Sequence, residues 1–176
     1  MSIALEDETL VNLHTIRDVV GAVCIGAELT VAGKKGDFAK KVTLAQLRDS
    51  LRKGFTKWQT MPEEIQTDNE TLFVGSNGSA KDAFPAKFTL WLIGLGIEHR
   101  AIRAGVCTDN AEVERCHRTL DDYVFSGNKH LPMPKLQEKL DYAQRELAFE
   151  LPSFAHGCQG QPPVQAHPQL LSLIHI

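Results

Sequence analysis

The chain has 176 residues, 43% of them hydrophobic and 23% charged, with a net charge of −3, which suits one core of ordinary size with an appendage. No apolar run approaches the roughly 18 residues that cross a bilayer, and no charged-then-apolar leader opens the chain, so a soluble, cytoplasmic protein without membrane contact is expected. The four cysteines (Cys24, Cys107, Cys116 and Cys158) include no Cys-x-x-Cys pair, which argues against a zinc knuckle or a disulfide framework and for reduced thiols.

In chain order, Leu10 to Arg17 and Ala22 to Val31 read as two strands of an antiparallel meander. Val23, Ile25, Ala27, Leu29 and Val31 alternate, and Asp18-Val19-Val20-Gly21 supplies the turn between them. Thr43 is a helix cap for a stripe of Leu44, Leu47, Leu51, Phe55 and Trp58, with Gly54 and Pro62 expected to limit the helix. Ile65 leads a short strand that ends at Asp68. Phe88, Leu92 and Leu95 mark the next helix, ended by Gly94 or Gly96, and Ile97 to Ile102 reads as a strand. A further helix begins near Asn110. Pro134 suits the start of a last long helix carrying Leu136, Leu140, Ala143 and Leu147 as far as Phe149. Beyond it Pro152, Gly157, Gly160, Pro162, Pro163 and Pro168 break regular structure, and the tail reads as an extended arm in which His156 and His167 are loop residues. The closing Leu170 to Ile176 is apolar and abrupt, unlike what precedes it.

Three ordered words carry a resemblance: Gln66-Thr67-Asp68-Asn69, then Leu95-Gly96-Ile97-Glu98-His99-Arg100-Ala101-Ile102-Arg103-Ala104-Gly105, then Asp109-Asn110-Ala111-Glu112-Val113-Glu114-Arg115-Cys116-His117-Arg118-Thr119-Leu120. From about residue 10 to residue 168 the chain resembles the integrase core family of retroviral integrases and bacterial insertion-sequence transposases. The resemblance implies an α/β fold, a ribonuclease H-like integrase core with a three-layer mixed sheet flanked by helices, followed by a C-terminal helix and an extended tail. It divides the chain into a core over 1–124, a helical extension over 125–151 and an irregular tail over 152–176. It makes Asp68 the second and Glu114 the third carboxylate of a DDE site that binds two Mg²⁺ or Mn²⁺ ions for DNA strand transfer. Glu112, two residues before Glu114 and on another side of the helix, reads as a decoy.

The chain departs from the family pattern in several places. Glu70 stands where a glycine usually follows Asp-Asn, and the prolines usual near Ala104 and Cys107 are missing, so that loop is expected to be less stiff. The interval from Asp68 to Glu114 is longer than usual, with the surplus expected in the turn formers from Gly75 to Asp82. The first catalytic Asp would fall at or before Met1, so the core is expected to lack its first strand. Asp7 and Asp18 read as turn residues rather than substitutes.

The net charge hides a basic strip of Lys34, Lys35, Lys40, Lys41, Arg48, Arg52, Lys53 and Lys57, opposed locally by Asp37 and Asp49. The strip reads equally as a surface that follows a phosphate backbone or as a solvated helix face. Glu114 with His117 and Arg118 shares one helix face, where the two basic groups stand either near DNA phosphate or in an ordinary ion pair. The functional expectation is DNA transposition or integration by a truncated copy, with DNA and a second copy or a full-length transposase as partners. The alternative is an inactive remnant that binds DNA or such a transposase.

Overall fold

The computed structural model describes residues 1–36, 40–75, 85–103, 105–155 and 157–168. Its elements in chain order are β1 (Ser2–Ala4), β2 (Thr9–Asp18), β3 (Val23–Lys34), α1 (Leu44–Trp58), β4 (Glu64–Thr67), α2 (Thr71–Val74), α3 (Lys87–Gly94), β5 (Glu98–Ala101), a 3₁₀ turn (Cys107–Asn110), α4 (Ala111–Leu120), a π turn (Asp121–Phe125), α5 (Met133–Phe149) and α6 (Pro163–Ala166). Contacts group them into two compact units, Met1–Gln59 with Glu112–Ile176, and Thr60–Ala111.

In the first unit β1, β2 and β3 form an antiparallel sheet in that order. Both hairpin turns are fixed by aspartates: Thr9 N donates to Asp7 Oδ1 at 2.9 Å, and Gly21 N to Asp18 Oδ2 at 2.9 Å. These are the bland roles that the sequence gives Asp7 and Asp18. The alternating residues of the strands bury Val11, Leu13, Ala27 and Leu29 against Leu120, Val124, Phe125, Leu136, Leu140 and Ala143. The α5 stripe is therefore core, since apolar side chains at helical spacing gain most by facing a sheet.

Helix α1 opens on a capping box. Gln46 N donates to Thr43 Oγ1 at 3.2 Å while Thr43 N donates to Gln46 Oε1 at 2.9 Å, so two otherwise orphaned amides are satisfied. The buried face carries Leu51, Phe55 and Trp58, with Leu44 and Leu47 only half-buried. Gly54 does not limit the helix, which runs on to Trp58 and ends at Gln59 in the left-handed conformation. The reason is tertiary: Gly54 is buried, with its absent Cβ facing Ile16 Cδ1 and the Ile25 carbonyl at 3.5 Å each.

Strand β3 is an edge strand, and side chains cover part of its free edge. Gln137 on α5 accepts from Leu29 N at 2.8 Å and donates to Ala27 O at 3.1 Å, as a neighbouring strand's peptide would. Trp58 Nε1 donates to Ile25 O at 3.1 Å, and its ring stacks on Phe149. Backbone groups that would otherwise invite another strand are thus paired internally.

The described part of the tail folds back instead of running out as an arm. Ser153 N donates to Gln161 O and Gly160 N to Ser153 O, closing a loop, and Cys158, Pro163 and Val164 are buried. The apolar and proline side chains there gain more from the unit's surface than from solvent. His167 follows α6; His156 and Leu170 to Ile176 lie outside the described residues.

In the second unit β4 and β5 pair in parallel, with Thr67 opposite Ala101. Phe88 and Leu92 on α3 and Ile97 before β5 are its buried apolar residues, whereas Leu95 is exposed. Phe88 packs edge-on to both Phe73 and His99, each ring pair 5.2 Å apart. The segment expected to hold the surplus length lies mostly outside the described residues.

Candidate active site

Asp68 is the first residue past the C-terminal end of β4. Its Oδ1 accepts from Glu70 N at 3.0 Å, while Oδ2 has no hydrogen-bond partner among the described residues. The other side chains of the same word anchor the strand end. Gln66 Nε2 donates to Asp109 O at 2.7 Å, and Asn69 Nδ2 donates to Ile102 O at 2.9 Å, beyond β5. Thr67 Oγ1 is 2.9 Å from His99 Nε2, and His99 Nδ1 is 2.8 Å from Thr89 Oγ1. Burial lowers the pKa of that imidazole, which favours a neutral ring hydrogen-bonded on both sides. Gln66, Thr67 and Asn69 fix the backbone, and Asp68 presents a carboxylate on a rigid support.

The residue after Asp68-Asn69 needs no glycine here, because Glu70 has φ −60° and ψ 145°, open to any side chain. The loop without prolines is closed by charge instead. Arg103 donates from Nε to Asp109 Oδ2 at 2.9 Å and from Nη2 to Asp109 Oδ1 at 2.7 Å, and its backbone amide also reaches Oδ2. The paired Arg103 guanidinium holds the Asp109 carboxyl at about 2.

Helix α4, in the first unit from Glu112 onward, buries Cys116 and Leu120 and turns Glu114 to solvent. Glu114 makes no hydrogen bond or ion pair among the described residues. Glu112 is engaged: its Oε2 accepts from Arg17 Nη2 at 3.1 Å, and Arg115 lies 4.0 Å from its Oε1. His117 is not a cation beside solvent. Its Nε2 is 2.7 Å from Thr15 Oγ1, and burial, with the N-terminal ammonium and His14 nearby, lowers its pKa to about 4. A neutral, half-buried imidazole brings no charge to a phosphate. Arg118 is exposed on the same helix.

In the basic strip Lys34, Lys35, Lys40, Lys41, Arg52, Lys53 and Lys57 are exposed, and Arg48 is half-buried. Lys53 is shared between Glu28 at 3.1 Å and Asp49 at 3.2 Å, which discounts its charge for any ligand. Lys41, Arg48 and Arg52 also have partners.

Among the described residues no group of three or more His, Cys, Asp or Glu side chains could hold a metal ion. Two hard cations 3.5–4 Å apart need more carboxylate oxygen than two side chains supply. The donor set of the described residues therefore does not fit a two-metal centre by itself.

No family model and no curated protein matches the chain. Solved structures do. The simian T-cell lymphotropic virus intasome, solved in complex with PP2A regulatory subunit B56 gamma, contains a chain similar at TM-score 0.67 and 20% identity, over 95% of this chain and 51% of that one. The HTLV-2 integrase catalytic core domain in complex with magnesium, trimeric form, is similar at TM-score 0.63 and 15% identity, over 95% of this chain and 90% of that one. The fold is that of an integrase catalytic core. The BIV integrase catalytic core domain agrees, at TM-score 0.60 and 13% identity, over 98% of this chain and 93% of that one. This chain thus spans about half the length of the intasome chain and nearly all of the isolated cores. No helix among the described residues is long and apolar enough to cross a membrane.

Proposed function

We propose that this chain is the core portion of a DDE-type DNA transposase or integrase, of the insertion-sequence kind, to which it contributes Asp68 and Glu114. The observation that carries the reading is the position of Asp68, on the residue directly after a parallel strand in an integrase-core fold, with one carboxylate oxygen held by Glu70 N. The engagement of Glu112 by Arg17 adds support, since it leaves Glu114 as the unpaired carboxylate of that pair on α4. In this reading the core spans 1–124, the helical extension 125–151 and the tail 152–176. A third carboxylate has to come from outside the described residues before Mg²⁺ or Mn²⁺ is held. DNA follows the basic strip and Arg118, with a second copy of the chain or a full-length transposase as partner.

The incomplete donor set favours a second reading, an inactive remnant that binds DNA or a full-length transposase. One experiment separates the two. Labelled transposon-end DNA is incubated with the chain and Mg²⁺ or Mn²⁺, and cleavage and joining are followed beside DNA binding. Joining that disappears with Asp68→Asn and with Glu114→Gln supports the first reading. Binding without joining, unchanged in both variants, supports the remnant. Neither joining nor binding in either metal sinks both.

A further inference from the structure

Within the first unit a cavity of about 280 Å³ is lined by residues of β2, β3, α4, α5 and the tail, among them Arg17, Cys24, Arg115, Cys116, Thr119 and Phe154. Cys24 on β3 and Cys116 on α4 are 8% and 4% exposed, yet both belong to its wall. Both also belong to one buried apolar cluster, and Cys24 Sγ donates to Gly26 O at 3.3 Å. Arg17 stands over the pair. Its side chain is 9% exposed, one guanidinium nitrogen serves Glu112, and Nε has no partner among the described residues. The neighbouring Cys24 thiol, with the positive charge of Arg17, lowers the pKa of the Cys116 thiol.

Packing alone does not account for this arrangement. A buried thiol is a small hydrophobe that an alanine or valine replaces in a core, whereas a nearly buried arginine with an unsatisfied nitrogen costs free energy that apolar neighbours do not return. Two thiols that share one cavity wall with a guanidinium, the cavity being large enough for a small molecule, have the layout of a thiol oxidation site.

We propose that Cys24 and Cys116 are a peroxide-sensitive dithiol that closes reversibly into a disulfide. Hydrogen peroxide is the oxidant, small enough for the cavity. The Cys116 sulfur attacks one peroxide oxygen and the O–O bond breaks. The departing hydroxide takes the thiol proton as water, leaving Cys116 as a sulfenic acid. The Cys24 sulfur then attacks the Cys116 sulfur, the S–O bond breaks, and the hydroxyl leaves with the Cys24 proton as a second water. One peroxide is reduced to two waters while two thiols become one disulfide. The guanidinium of Arg17 stabilises negative charge on the attacking sulfur and on the departing oxygen. The product ties α4 to β3, across a loop long enough to restrict the unfolded chain strongly. This inference needs only the first unit's fold and stands apart from the DNA reading.

The test is to treat the full chain with hydrogen peroxide, alkylate remaining thiols in denaturant, digest without reductant and read the peptides by mass spectrometry. A cross-linked Cys24–Cys116 peptide, two hydrogens lighter than the sum of its parts and lost on adding dithiothreitol, is the expected result. The urea midpoint of the oxidised chain should move upward. In Cys24→Ser the cross-link vanishes and Cys116 is trapped by dimedone as a sulfenic acid, a readout that does not require the disulfide. Recovery of both cysteines fully alkylated after peroxide overturns the proposal, as does pairing of either with Cys107, Cys158 or a second chain.

Discussion

Arg17 Nη2 lies 3.1 Å from Glu112 Oε2, and this contact separates two glutamates on α4 that stand only two residues apart. Arg17 is nearly buried, so Glu112 compensates a charge that has little water, whereas Glu114 compensates nothing. Glu112→Gln should cost about 2 kcal/mol of stability, less than a fully buried pair because Glu112 itself is partly solvated. Glu114→Gln should stay within about 0.5 kcal/mol of the parent, as an exposed substitution away from any partner. Urea denaturation of both variants checks the contrast. A Glu114→Gln protein less stable than the Glu112→Gln one would show that the roles on the helix are reversed.

Gln137 makes a second asymmetry measurable. Its amide serves both Leu29 N and Ala27 O on the free edge of β3. Truncation to alanine leaves Leu29 N unpaired at a partly buried site and Ala27 O with only the long bond from Gln144 Nε2 at 3.5 Å, which should cost about 2 kcal/mol. It also uncovers an edge that another chain can pair with, so light scattering on warming should rise earlier than in the parent. Gln137→Glu keeps the acceptor for Leu29 N but not the donor for Ala27 O, and should fall between the two.

Gly54 shows where the sequence misleads and why. A glycine in a helical stripe reads as an interruption because it is the weakest ordinary helix former, yet here it is covered by β3 and the helix passes through it. Both nearest atoms to an added Cβ are 3.5 Å away, which is ordinary contact. Gly54→Ala should therefore stabilise by about 0.5–1 kcal/mol through the unfolded chain's lost freedom, while Gly54→Leu should destabilise by overpacking. A lower urea midpoint for the alanine variant would contradict the fit.

The same distinction runs through the candidate site. That Asp68 follows a strand and Glu114 stands in the first turns of a helix was legible from the residues around them, and the β2–β3 hairpin, α1 and α5 were legible from local period and capping. What stayed hidden joins residues far apart in the chain. Arg17 meets Glu112 across 95 positions and Thr15 meets His117 across 102, and neither contact leaves a mark on hydrophobic period or turn chemistry. The Arg103–Asp109 clamp is local, but its signal is two ordinary charges six residues apart, indistinguishable from surface residues until the loop closes.

His14 and His117 give the fold a dependence on pH. Both have pKa values lowered to about 4, first by burial and then by the N-terminal ammonium, from an ordinary 6.5. Between those values the unfolded chain takes up protons that the folded chain refuses, so unfolding binds protons and stability falls as pH drops from 6.5 toward 4. Above 6.5 neither state is protonated at these rings, and the stabilisation is fully present. Both rings are only half-buried, so solvent screens the effect, and about 1–2 kcal/mol for each is the expected loss. Urea unfolding at about pH 7.5, 6, 5 and 4.5 should show this slope, and His117→Asn should remove roughly half of it while keeping a side chain able to bond Thr15. The Asp109 carboxyl, held at about 2 by Arg103, stabilises fully above its ordinary 3.8 and loses that contribution only as pH falls from there toward 2, so the two sets of groups change in separate pH ranges. A slope in His117→Asn equal to that of the parent would place the proton uptake elsewhere.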